Sequence, residues 1–93
     1  IKKIKTNFQA RGLQIYEDTD SILWIGTYDK GLNRFNRDLE NFTRYNVGSA
    51  DPKTNIQYRI RTIYEDHNHN FWIGTYYGLL KFNRKTGGFK RFV

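Results

Sequence analysis

The chain has no cysteine, no methionine and a single proline among its 93 residues. Without cysteine, neither a disulfide nor a thiolate metal site can brace a domain this small. That absence fits an oxidising compartment as well as a reducing one and assigns neither. No apolar run approaches the ~20 residues needed to span a bilayer. A signal-peptide pattern is missing too, and without an initiator methionine the sequence reads as excised from a longer chain. Acidic residues are scarce: 9 Asp and Glu stand against 16 Lys and Arg, a formal net charge of +7. Such a balance favours anionic partners such as acidic glycans or lipid heads. The basic residues are scattered singly, as on solvated strand faces. No basic stripe or known nucleic-acid module accompanies them, so nucleic acid is not an expected partner.

What the chain does contain is a duplication. The stretch from Thr6-Asn7-Phe8-Gln9 through Ile15-Tyr16-Glu17-Asp18 to Trp24-Ile25-Gly26-Thr27-Tyr28 returns 48 positions later. There it runs from Thr54-Asn55-Ile56-Gln57 through Ile63-Tyr64-Glu65-Asp66 to Trp72-Ile73-Gly74-Thr75-Tyr76. Tandem repetition at this spacing marks supersecondary units that bury their apolar faces only against one another. Two such units alone leave broad apolar faces, and aggregation, association or partial unfolding is the expected consequence.

Within each unit the apolar runs are short and no helical spacing is sustained. Leu13–Tyr16 and Arg61–Tyr64 read as first strands. Ile22–Thr27 and Phe71–Thr75, nearly continuous in hydrophobicity, read as second strands buried on both faces. Gly31–Phe35 and Gly78–Phe82 follow as third strands, Phe42–Tyr45 and Phe89–Phe92 as charged, edge-like fourth strands. The Asx-rich segments after Glu17-Asp18 and Glu65-Asp66 supply tight-turn chemistry. Ile1-Lys2-Lys3-Ile4-Lys5 has the pattern of Phe89–Val93 and reads as the fourth strand of a preceding unit. The expected organisation is therefore 1–5 as an outer strand, 6–46 as a first blade, 47–53 as an inter-blade loop and 54–93 as a second blade.

Four short antiparallel strands in ~40–50 residues are the signature of a propeller blade. The Gly-His and Trp-Asp dipeptides of WD40 blades are missing, and Gly87-Gly88 is a lone double glycine in a turn, unlike kelch. The residues that remain are Ile-Tyr-Glu-Asp, then Trp-Ile-Gly-Thr-Tyr, then Gly-Leu and Phe-Asn-Arg. This pattern, met twice, resembles the two-component regulator propeller repeat. The expected fold is all-β: two four-stranded antiparallel propeller blades plus one orphan N-terminal strand, part of a larger β-propeller. The family usually has glycine in the first turn, where this chain has Ser21 and His69. Asp20 and Asn68 beside them are expected to take the left-handed conformation instead.

The resemblance implies a seven-bladed ring in the periplasmic or extracellular sensor region of a membrane-bound sensor histidine kinase, many of which respond to glycans. No cofactor is expected. Independently of the family, Trp24 and Trp72 are expected to anchor blade packing. Gly26 and Gly74, two residues on, are expected to leave room for a neighbouring blade.

Candidate chemistry is sparse. Adjacent residues on a strand point to opposite faces, so Glu17 and Asp18, or Glu65 and Asp66, cannot converge for acid–base work. Asp18 and Asp66 read instead as caps of their hairpins. His67 and His69 lack a third ligand, so no metal is expected. The better candidates are aromatic and basic residues in the second-to-third strand connections: Tyr28, Asp29, Lys30, Tyr76 and Tyr77. Arg11 and Arg59, leading into the first strands, are expected on the same rim. Tyrosine faces stack on sugar rings, and Lys or Arg pairs with carboxylate or sulfate. An acidic or neutral oligosaccharide is the ligand this set suggests, in a binding and signalling module without catalysis of its own. The rival readings are a scaffold for dimerisation or protein contact, through adjacent blades or other copies of the chain, and a propeller-based enzyme acting on acidic polysaccharide.

Overall fold

The computed structural model describes residues 11–51, 53 and 56–92. Residues 1–5, expected as an outer strand, lie outside that set. The described strands are β1 (Gln14–Glu17), β2 (Leu23–Gly26), β3 (Leu32–Asn36), β4 (Asn41–Tyr45), β5 (Ser49–Asp51), β6 (Ile56–Gln57), β7 (Ile60–Glu65), β8 (Phe71–Thr75), β9 (Gly78–Phe82) and β10 (Phe89–Phe92). They form two four-stranded antiparallel meanders, β1-β2-β3-β4 and β7-β8-β9-β10, with β5 and β6 as a separate pair. The segment 47–53, expected as a loop, thus carries a strand, because β5 turns back onto β6 before the second sheet begins.

Register follows the duplication. Tyr16 pairs with Trp24 and Tyr64 with Trp72 across the first hairpin of each sheet. Each of those hairpins is closed by its aspartate. Ser21 N–H donates to Asp18 O at 2.9 Å and Asp18 N–H to Ile22 O at 3.0 Å; His69 and Asp66 repeat the pattern. A tight turn followed by one left-handed residue produces this closure. The left-handed positions are Ser21 and His69, both at φ 63°, and not Asp20 and Asn68. The sequence expectation is corrected by geometry: the residue after the turn must reverse the strand, whichever neighbour has the better Asx side chain.

The sheets pack face to face. Their closest backbone approach lies between β1 and β2 on one side and β7 on the other. Ile60 N–H donates to Thr27 O at 3.0 Å across this junction. Farther out, aromatic rings fill the gap: Trp24 lies 5.2 Å from Phe71 and 5.4 Å from Phe82, and Tyr45 lies 5.1 Å from Phe82. Close inner strands and ring-filled outer strands make the wedge shape that a propeller blade requires. The core cluster is Trp24 and Leu32 from the first sheet with Ile60, Ile63, Phe71, Ile73, Leu80 and Phe82 from the second, joined by Tyr58.

Gly26 acts as expected, since a Cβ there would stand 2.5 Å from Ile60 Cγ2 of the neighbouring sheet. Gly74 differs. The space above it is taken by Thr62 of its own sheet, 2.6 Å from the same hypothetical atom. The outward face of the second sheet has no partner sheet among the described residues. Leu79 is 42% exposed where its counterpart Leu32 is fully buried, and Tyr64 is exposed as well.

Two stability measurements check this account. Trp24→Ala is expected to cost about 3–5 kcal/mol in urea unfolding, whereas Trp72→Ala costs roughly 1–2 kcal/mol because its ring is only partly buried. Equal costs would contradict the asymmetry. Ser21→Gly relieves a left-handed non-glycine residue and is expected to stabilise by about 0.5–1 kcal/mol; a loss of stability would place the strain elsewhere.

Candidate functional site

One edge of the two-sheet unit gathers the β2–β3 and β8–β9 connections with the segments leading into β1 and β7. Each connection is pinned to its lead-in segment by the backbone. Tyr28 N–H donates to Arg11 O at 2.8 Å, and Tyr76 N–H donates to Arg59 O at 3.1 Å. Threonine hydroxyls fix the turns themselves: Thr27 Oγ1 donates to Gly31 O at 2.8 Å and Thr75 Oγ1 to Gly78 O at 2.6 Å. Two tyrosine rings are held side by side as a result. Tyr28 and Tyr76 meet edge to face with centroids 5.7 Å apart, and their hydroxyls lie 3.1 Å apart. That hydrogen bond pushes the Tyr28 phenol above its ordinary range.

Guanidinium groups flank the pair. Arg59 lies 5.8 Å from the Tyr28 centroid and Arg61 lies 4.8 Å from that of Tyr76, both within cation–π range. Tyr76 and Tyr77 remain 52% and 41% exposed. Of the predicted residues, Tyr28, Tyr76 and Arg59 are brought together. Arg11 takes part through its backbone, with its N–H donating to Asp29 Oδ1 at 3.1 Å. The backbone N–H of Lys30 donates to Thr27 Oγ1, and that of Tyr77 to Thr75 Oγ1. Arg61 was missed. Its signal was a departure from the repeat, since the first unit has Leu13 at the equivalent position.

The opposite edge is structural. Asp18 Oδ1 accepts from the N–H groups of Asp20 and Ile22, and Oδ2 accepts the Trp24 indole N–H at 2.8 Å. Asp66 does the same for Asn68, Asn70 and Trp72. Capping is thus seen at both aspartates. A second role was not legible: Arg84 reaches Asp18 Oδ2 at 3.1 Å and Glu65 Oε2 at 3.0 Å, joining carboxylates of both sheets. Glu65 also accepts from Thr19 N–H and Thr19 Oγ1 of the first sheet. Glu17 is instead exposed and faces Arg37 at 3.7 Å.

Burial opposes the charge on Asp18. The hydrogen bonds from Trp24, Ile22, Asp20 and Arg84 outweigh it, so its carboxyl titrates below the usual range. Glu65 is lowered likewise, burial being overcome by Thr19 and Arg84. The Trp72 indole bond, acting against some desolvation and helped by Asn70 and Asn68, lowers Asp66 to about 2. Among the described residues no group of three His, Cys, Asp or Glu side chains is placed to hold a metal ion. His69 Nδ1 lies 3.4 Å from Glu65 Oε2.

Paired four-stranded meanders, wedged through a tryptophan and tied by a shared arginine, are β-propeller blades. The family model of the two-component regulator propeller matches residues 10–29 and 56–77, once in each repeat. No curated protein matches the chain.

The carboxylate bridge sets an acid limit on stability. Groups with lowered folded-state pKa values contribute in full above the unfolded carboxylate range, near pH 4, and lose that contribution as pH falls through the folded values. The melting temperature is therefore expected to hold from pH 7 to about 4 and to fall steeply toward pH 2. Arg84→Met removes the shared cation and is expected to move that fall to higher pH. Thermal melts showing no dependence between pH 5 and 2, in either protein, would rule out the bridge as a determinant.

Proposed function

We propose that these blades belong to the extracytoplasmic sensor propeller of a two-component signalling protein. In this reading they bind glycan-like ligands on the tyrosine rim, without catalysis, and pass the signal to a histidine kinase elsewhere in the parent protein. The periplasmic or extracellular placement and the larger, seven-bladed ring come from the family resemblance. The observation that carries the ligand reading is the Tyr28–Tyr76 pair, half-buried at Tyr28 and exposed at Tyr76, flanked by Arg59 and Arg61. A ring of a sugar stacks on such a surface while guanidinium groups meet its polar edge. Ligand binding acts on signalling only through different affinities for two blade or subunit arrangements.

A panel of neutral and acidic oligosaccharides titrated calorimetrically into the chain tests the reading. Tyr76→Ala is expected to weaken the best ligand by about 1 kcal/mol, roughly fivefold. Saturable binding that ignores this substitution moves the site off the rim, and a panel without any binding sinks the glycan reading. The exposed Tyr64 and Leu79 favour the scaffold reading, in which that face meets a further repeat or a partner. Self-association retained in the absence of glycan binding would favour it.

A further inference from the structure

The two repeats share the residues of their common motif, so their differences on the rim are informative. In the first unit, Asp29 places a carboxylate on the Arg11 backbone N–H at 3.1 Å, beside Tyr28. The equivalent positions in the second unit, 48 residues on, are Tyr77 for Asp29 and Arg59 for Arg11. No acid stands there, and the Arg59 N–H has no partner among the described residues. A second difference points the same way. Leu13 of the first unit is replaced by Arg61, whose guanidinium covers the Tyr76 ring at 4.8 Å.

Arg59 and Arg61 also differ from the arginines at the opposite edge. Arg37 and Arg84 are paired with carboxylates. Neither Arg59 nor Arg61 forms an ion pair among the described residues. The second unit has therefore lost an internal acid and gained a cation beside an exposed tyrosine pair.

From this we infer that the rim of the second blade binds the carboxylate of an acidic ligand, at the place Asp29 occupies in the first blade. The carboxylate accepts from the Arg59 backbone N–H and is held by the Arg59 and Arg61 guanidinium groups. The ring that bears it lies on Tyr76 and Tyr77. The charge-assisted bonds give selectivity for acid over neutral ligand, and the tyrosines give a flat contact tolerant of ring identity. The inference rests on the rim being the ligand site and narrows its ligand to a carboxylate-bearing ring such as a uronic acid.

Tetragalacturonate and its methyl ester, the same rings with and without charge, supply the test. Calorimetry on the 93-residue chain is expected to give at least tenfold tighter binding of the acid. Arg61→Leu and Tyr77→Asp restore the first blade's residues, so both suit the fold. Each is expected to weaken the acid at least tenfold, and Arg61→Leu to weaken the ester by a smaller factor. In amide-resolved NMR titration with the acid, the Arg59 N–H shifts and the Arg11 N–H does not. Equal affinity for acid and ester, or an Arg61→Leu protein that binds the acid as before, overturns the inference while the tyrosine rim stands. No binding of either compound also overturns the inference, while the rim reading stands or falls with the wider oligosaccharide panel.

Discussion

The structure depends on the placement of one indole. Trp24 fills the space between the two sheets, touching Phe71 and Phe82 of its neighbour and Tyr45 of its own outer strand. A buried indole N–H needs an acceptor, and Asp18 provides it from the turn just before the strand. The same carboxylate closes the hairpin and receives Arg84 of the next sheet. A single acidic side chain thus couples three levels: turn geometry, rotamer of the core aromatic, and the junction between sheets. Removing the acid would leave an indole N–H and turn amides wanting partners and would take one of the two carboxylates that Arg84 bridges, which is why a buried charge is tolerated at this point.

Charge partition between the two edges follows from that coupling. At the hairpin edge the buried carboxylates of Asp18 and Glu65 share Arg84, while Glu17 and Arg37 face each other in the open. At the other edge the arginines lie over tyrosine rings and stay exposed. Arg59 and Arg61 thus stand without a carboxylate among the described residues where the tyrosines emerge, whereas Arg84 is offset by two carboxylates where the blades are joined.

Much of this was legible in the sequence because it repeats. The strands were set by short apolar runs between Asx and glycine turns, and the duplication fixed which residues are equivalent. Trp24, Gly26 and the capping aspartates carried their roles in their spacing. The Arg84 bridge did not, since it joins residues far apart in the chain and only sheet packing brings them together. Left-handed backbone at Ser21 and His69 was assigned to the wrong neighbour, because local side-chain preference was weighed above hairpin closure. The β5–β6 pair arises from a reversal that no periodicity marks. Gly74 shows that sequence-equivalent glycines need not have equivalent neighbours: one makes room for the adjacent sheet, the other for a threonine beside it. Arg61 stood outside the repeated pattern, and a reading built on what recurs passes over what does not.

The two faces of a blade are unlike. One offers tryptophan and an aspartate oxygen; the opposite one offers arginine, glutamate and phenylalanine. Stacking therefore has a polarity, like that of a string of plugs and sockets, and both halves of the joint are encoded in every copy. Duplicating such a segment within a gene adds a module whose joint is already designed, at either end of the row. Changes at the rim then accumulate without disturbing the joint, and copies that began alike become free to specialise.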